Sequence, residues 1–169
     1  MPGTLPADDR YIVLVTFGAE RNARFSVLLG MAYWIVKTEP ETHSWQDMVA
    51  EKITPWDGVR NYQARNYLRA MELDDWVLVY HSVSDKELVG LARVARTHYP
   101  DPTAEEPERW SCVDLRAERA LGKPISLRTI KADARFAHLG LVRGGRLSVM
   151  PVTPTQFDAL LQLAETPLP

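Results

Sequence analysis

The run Trp56-Asp57-Gly58-Val59-Arg60-Asn61-Tyr62-Gln63-Ala64-Arg65-Asn66 sets a strand end, a tight turn and a helix start next to one another. A bulky aromatic residue closes the extended segment before it, and Asp57-Gly58 is a turn dipeptide. From Asn61 onward, Ala64, Tyr67, Leu68 and Met71 recur at i, i+3, i+4 and i+7, the signature of an amphipathic helix. Asn61 fits its N-cap. The same spacing places Asn61, Arg65 and Arg69 together on the polar side.

Upstream, Ala32-Tyr33-Trp34-Ile35-Val36 reads as a first strand. Ser44 with Asp47 three residues later has the capping-box pattern, which predicts a helix from Trp45 to about Glu51, followed by a second strand reaching Trp56. Downstream, Trp76 to His81 is a buried strand with Trp76, Leu78 and Tyr80 on one face and Val77, Val79 and His81 on the other. A polar loop around Ser84-Asp85-Lys86 leads to a hairpin partner over Leu88 to Val94. Pro100, Pro102 and Pro107 mark an extended loop, and Trp110 to Ala117 alternates as another strand. Ile125, Ser126 and Ile130 form a staple around an N-cap and start a short helix. A strand from Leu147 to Val152 follows the Gly144-Gly145 turn, and Thr153-Pro154-Thr155-Gln156 caps a last helix carrying Phe157, Leu160 and Leu161. Strands and helices interleave too irregularly for a doubly wound sheet. The expectation is an α+β domain with short helices flanking a bent or barrel-like sheet.

The 169 residues, 46% hydrophobic and 25% charged, suit one folded domain. A single cysteine, Cys112, excludes an intrachain disulfide and a multi-cysteine zinc site and fits a reducing compartment, so the cytoplasm is the expected location. A net charge of -2 gives no global pull on nucleic acid, so any such contact is local. The apolar run Tyr11 to Phe17 follows Asp8 and Asp9 instead of a positive segment and is too short to span a bilayer, which argues against a signal peptide and a membrane anchor. Composition changes at Met31. Residues 1–30 are therefore expected to be a dispensable extension, with an added strand at Tyr11 to Val15 as the alternative, and residues 31–169 the domain.

Three blocks carry a family resemblance: Tyr33-Trp34-Ile35-Val36-Lys37-Thr38-Glu39-Pro40, the Trp56 to Asn66 run, and Tyr80-His81-Ser82. Trp110-Ser111-Cys112-Val113-Asp114 and Arg146-Leu147-Ser148-Val149 agree with them in order and spacing. The chain resembles the EVE domain family of the PUA-like group. The resemblance implies a PUA-like pseudo-barrel, shared with YTH readers of methylated adenine and with ASCH domains. It further implies a cavity between the barrel and the helix after Trp56, and a role in recognising a modified base in DNA, in RNA or as a free nucleotide. The chain departs from the eukaryotic members in lacking their basic N-terminal extension.

A reader of one base takes it out of the stack, holds its faces on aromatic rings and satisfies its edge with fixed polar groups. Trp56 and Trp110 are the candidate stacking pair by resemblance to the YTH arrangement, with Trp34 nearby in the first block; the competing reading makes them core tryptophans. A stacking Trp56 is expected to be partly exposed in the empty protein. Lys37, Thr38 and Glu39 end the first strand and can read an edge, or pair as surface charges. Asn61 is either a helix cap alone or the start of a set of free backbone amides, beside Arg60 and Arg65. Tyr80, His81 and Ser82 end the central strand and are candidates for the same lining. Arg128, Lys131, Arg135, Arg143 and Arg146 are candidates to grip flanking phosphates, or form a solvated face.

For catalysis the sequence offers little. His43, His81, His98 and His138 lack metal-ligand spacing, and there is no P-loop, GxGxxG or GxSxG. No cofactor, metal or catalytic group is expected, and the chain reads as a monomeric binding module. The alternatives are an enzyme using Glu39 or Asp57 as general base, and a protein-interaction module using the loop from Tyr99 to Glu108.

Overall fold

The alternation read along the central strand is realised in three dimensions by a computed structural model that describes residues 31–169. The proposals for residues 1–30, including a strand at Tyr11 to Val15, lie outside the described residues. In chain order the elements are β1 (Tyr33–Thr38), α1 (Trp45–Glu51), β2 (Ile53–Trp56), α2 (Tyr62–Ala70), β3 (Trp76–His81), β4 (Glu87–Pro100), β5 (Ser111–Ser126), α3 (Leu127–Ala132), α4 (Gly140–Arg143), β6 (Val149–Val152) and α5 (Pro154–Leu163). One mixed sheet of six strands runs β2-β5-β4-β3-β1-β6. β1 lies parallel to β3, and the other pairings are antiparallel.

Each face of this sheet carries its own core. Trp76, Leu78 and Tyr80 of β3 join Ile130 of α3, Leu141 of α4 and Phe157 of α5. Val77 and Val79 join Trp45 and Met48 of α1, Trp56 of β2 and Leu68 of α2 on the other side. β3 is buried along its whole length, as a strand covered on both faces must be. α1 seats against the β4 backbone at Gly90, where a Cβ would come within 2.4 Å of the Trp45 ring.

The helix starts are cut by the predicted side chains. Ser44 and Asp47 form a complete capping box, Asn61 accepts from the Ala64 amide, Ser126 accepts from the Thr129 amide, and Thr153 and Gln156 form a second box. One difference concerns the long strands and another the shortest helical turns. β4 and β5 reach well past Leu88–Val94 and Trp110–Ala117 because four register shifts let them bend while they stay paired. α4 and the 3-10 turn Ala134–Phe136 are too short for a periodic pattern and carry no sequence signal.

These bends give the sheet its curl. β2 and β6 are the two outer strands and are not paired with each other, yet Trp56 of β2 and Val149 of β6 belong to the same apolar cluster. α2 packs on β4, β5 and β6. The result is a barrel-like body with an open seam, bridged by α2. Among the described residues no helix is long and apolar enough to cross a membrane.

Candidate functional site

A cavity of about 700 Å³ lies at the seam. Its walls are Lys37 and Thr38 at the end of β1, Thr42 and His43 in the following loop, Glu51 at the end of α1, and Thr54 to Trp56 on β2. Asp57 to Asn61 in the turn before α2, and Arg146 and Ser148 before β6, complete it. Both outer edges of the sheet thus contribute to one site. The Lys37 amide donates to the Ser148 carbonyl (2.8 Å), continuing the β1–β6 pairing into the cavity wall. Thr38 Oγ1 donates to the His43 carbonyl (2.7 Å) and folds the loop over the strand end.

The turn that carries Trp56 into α2 is pinned from below. Gly58 sits at φ 74°, a left-handed conformation that glycine adopts without steric cost, and its amide donates to Asp101 (2.9 Å). Asp101 has no exposed surface. It also accepts from Arg60 (2.7 Å) and from the Thr103 hydroxyl (2.6 Å) and amide (2.8 Å). Burial opposes its ionisation, but the bonds from Thr103, Arg60 and Gly58 prevail and hold the carboxyl at about 2. Arg60 is thereby fixed in direction at the cavity edge.

Two cavity groups have shifted ionisation. Burial, then the charge of Asp101, pushes the Asp57 carboxyl up. Burial pulls the Lys37 ammonium down. Lys37, Arg60 and Arg146 share the lining with Glu51 and Asp57, a mixture that suits a polar ligand of low net charge better than a polyphosphate.

Of the sequence candidates, Lys37, Thr38, Trp56, Arg60, Asn61 and Arg146 meet in this cavity. Trp56 lines it and is also part of the core, only 7% exposed, so the expected partial exposure is confined to a ring margin. The other candidates go elsewhere. Trp34 is a core residue whose Nε1 donates to Asp75 (2.9 Å). Tyr80 faces the opposite cluster. Glu39 is exposed and outside the lining; its carbonyl closes the Thr42 and His43 turn. Ser82 Oγ donates to the Thr38 carbonyl (3.1 Å). His81 Nε2 accepts from the Trp45 amide (2.9 Å) while Nδ1 faces Asp85 (3.0 Å), so the imidazole serves the start of α1.

Trp110 does not form a sandwich with Trp56. It precedes β5 and stacks on Tyr62 (5.1 Å, 23°), with Arg60 and Arg65 over its ring, outside the cavity lining. Arg65 donates outward to the Arg109 carbonyl (3.0 Å). In the basic group, Arg135 is paired with Asp133 (2.7 Å), and Arg146 alone of the five borders the cavity.

Sequence reading missed His43, Glu51, Thr54 and Ser148. α1 ends at Lys52 with φ 68°, which swings the chain into β2 and brings Glu51 Oε2 within 2.6 Å of the Thr54 hydroxyl. His43 Nε2 is buried without a hydrogen bond, 3.6 Å from the same carboxylate oxygen. An E-x-x-T pairing across a helix end has no periodic signature, so only the folded turn reveals it. Among the described residues no group of three or more His, Cys, Asp or Glu side chains is placed to hold a metal ion.

With this geometry in view, a family model described as the EVE domain matches residues 32–163. Mouse thymocyte nuclear protein 1 is 36% identical, over 79% of this chain and 74% of that protein. A crystal structure of an Agrobacterium tumefaciens protein aligns at a TM-score of 0.79 and 39% identity, covering 82% of this chain and 96% of that one. The human THYN1 protein, in complex with DNA containing 5-methylcytosine, aligns at 0.73 and 32%, covering 81% and 99%. The YTH domain of Zygosaccharomyces rouxii MRB1, in complex with N6-methyladenosine RNA, aligns at 0.55 with 12% identity over 83% and 90%, a likeness of fold.

Proposed function

The chain belongs to the EVE domain family, and on that premise we propose that it binds nucleic acid by receiving one modified nucleobase in the seam cavity. The observation that carries this reading is the convergence of Trp56, Lys37, Arg60 and Asn61 on one cavity, in a chain similar over most of its length to a protein crystallised with 5-methylcytosine DNA. Trp56 supplies an apolar margin against which a ring can lie. Lys37 and Arg146 offer donors, and the start of α2 offers backbone amides to a phosphate or carbonyl oxygen. With a net charge of -2, affinity depends on these few local cations.

The test is a binding panel of oligonucleotides and nucleosides carrying methylated and hydroxymethylated cytosine and methylated adenine, with unmodified controls. Trp56→Ala is expected to weaken binding by about 1–3 kcal/mol, the contribution of one stacking face, and Trp56→Phe to restore part of it. Equal binding of every base by Trp56→Ala and wild type would remove the cavity from the account.

A second reading has one observation behind it. Asp57 lies in the cavity with its carboxyl pushed up, a property of general bases. Turnover of a free modified nucleotide, abolished by Asp57→Asn, is the result that favours an enzyme. Glu39 is outside the cavity and takes no part in that reading.

A further inference from the structure

We infer that the Glu51 carboxylate reads the hydrogen-bonding edge of the ligand, so that the cavity selects a base presenting an exocyclic amino group, of the cytosine or adenine type, over one presenting a carbonyl there. This rests on the assignment of the cavity as a base site.

On β2, Thr54 and Trp56 are buried while Ile53 and Pro55 are exposed, so the first pair points to one side of the strand. Two residues along a strand span about 7 Å. Thr54 donates to Glu51 Oε2 at 2.6 Å, and this carboxylate therefore stands beside the Trp56 ring on the same wall. A base lying against Trp56 turns its edge toward it.

The His43 imidazole approaches the carboxylate from the loop side without bonding to it. His43 Nε2 has no hydrogen bond, and Glu51 Oε2 is 3.6 Å away. The Glu51 side chain is nevertheless 46% exposed, and Oε1 takes no hydrogen bond among the described residues. One oxygen is anchored, and the other has no partner among the described residues in a side chain that lines the cavity.

An ionised carboxylate only accepts. It attracts an amino N–H and repels a carbonyl oxygen, which it would leave facing an unpaired like partner. The two neighbouring carboxylates are poorer readers. Asp101 is wholly engaged by Arg60, Thr103 and Gly58, and Asp57 is disfavoured as an anion by burial and by Asp101. Glu51 is the reading group, and Thr54 is its positioning residue.

5-Methylcytosine and thymine form the discriminating pair, since they share the ring skeleton and its methyl group and differ along one edge, an amino group at C4 beside a bare N3 in the first and a carbonyl at C4 beside an N3–H in the second. The experiment measures affinities of the full chain for single-stranded oligonucleotides identical except for one such base, with melting temperatures for every variant. Wild type is expected to prefer 5-methylcytosine by roughly tenfold or more, the difference made by one hydrogen bond to a charged group. Glu51→Gln, whose amide both donates and accepts, is expected to bring the ratio close to one without a large change in melting temperature. Thr54→Val, which leaves the carboxylate present and unanchored, is expected to lower the ratio part of the way. Trp56-dependent binding with equal affinity for both bases, or an unchanged ratio in Glu51→Gln, overturns this inference alone. Absence of Trp56-dependent binding to any base overturns the base-site reading and the inference with it.

Discussion

Trp34 and Trp56 are almost equally buried, at 5% and 7% exposed, and belong to the same apolar cluster, yet they end in opposite surroundings. The Trp34 indole donates to Asp75, a buried carboxylate that also accepts from the amides of Ala32 (3.0 Å) and Glu72 (3.0 Å). Tyr67 closes against it at 6.0 Å. Trp34 is not in the lining of the seam cavity. Around Trp56 the buried carboxylate, Asp101, bonds to the turn and to Arg60 instead, leaving the ring margin against a cavity. Burial alone therefore does not separate a tryptophan closed into the core from one that borders a cavity. The partners of the nearest buried acceptor do.

The comparison breaks most visibly through Trp34. Trp34→Ala is expected to cost about 3–5 kcal/mol in denaturant unfolding, since it opens a closed site and takes a donor from Asp75. Trp56→Ala is expected to cost less, because its void joins an existing cavity. An equal or larger cost for Trp56 would make it the more structural of the two.

Acid sharpens the other half. The Asp101 carboxyl sits at about 2 in the folded chain against an ordinary value of 3.8, so its anionic form stabilises the fold. That contribution is complete above about pH 4 and is lost as pH falls toward 2. It amounts to about 2 kcal/mol. Asp101→Asn is expected to flatten this part of the pH–stability profile and to loosen Arg60 at the cavity edge. An acid limb identical to wild type would remove Asp101 as the pin of the turn.

The smallest effect is expected at Asn61, whose side chain caps α2 at 3.0 Å. Asn61→Ala is expected to cost about 0.5–2 kcal/mol by thermal or denaturant unfolding. A parallel fall in affinity for a modified oligonucleotide places the α2 amides in the site, and a stability loss with unchanged affinity leaves Asn61 as a cap alone.

Local chemistry was legible from the chain. Ser44, Asn61, Ser126 and Thr153 cut the helices where a short polar side chain meets a free amide, and the alternation of β3 named both of its core faces. The residues that resemble the EVE family brought the fold with them. Long-range geometry was not legible. Which of Trp34, Trp56 and Trp110 meets the cavity depends on how far β4 and β5 bend through their register shifts, and an individual residue carries no mark of that curl. Glu39 and Glu51 are both glutamates near an element end. One is left outside the cavity and the other is swung against Thr54 by the left-handed turn at Lys52. Hydrogen bonds between neighbours in sequence are set by residue type and spacing, whereas the cavity arises where two sheet edges, far apart in strand order, are brought together by the curvature of all the strands between them.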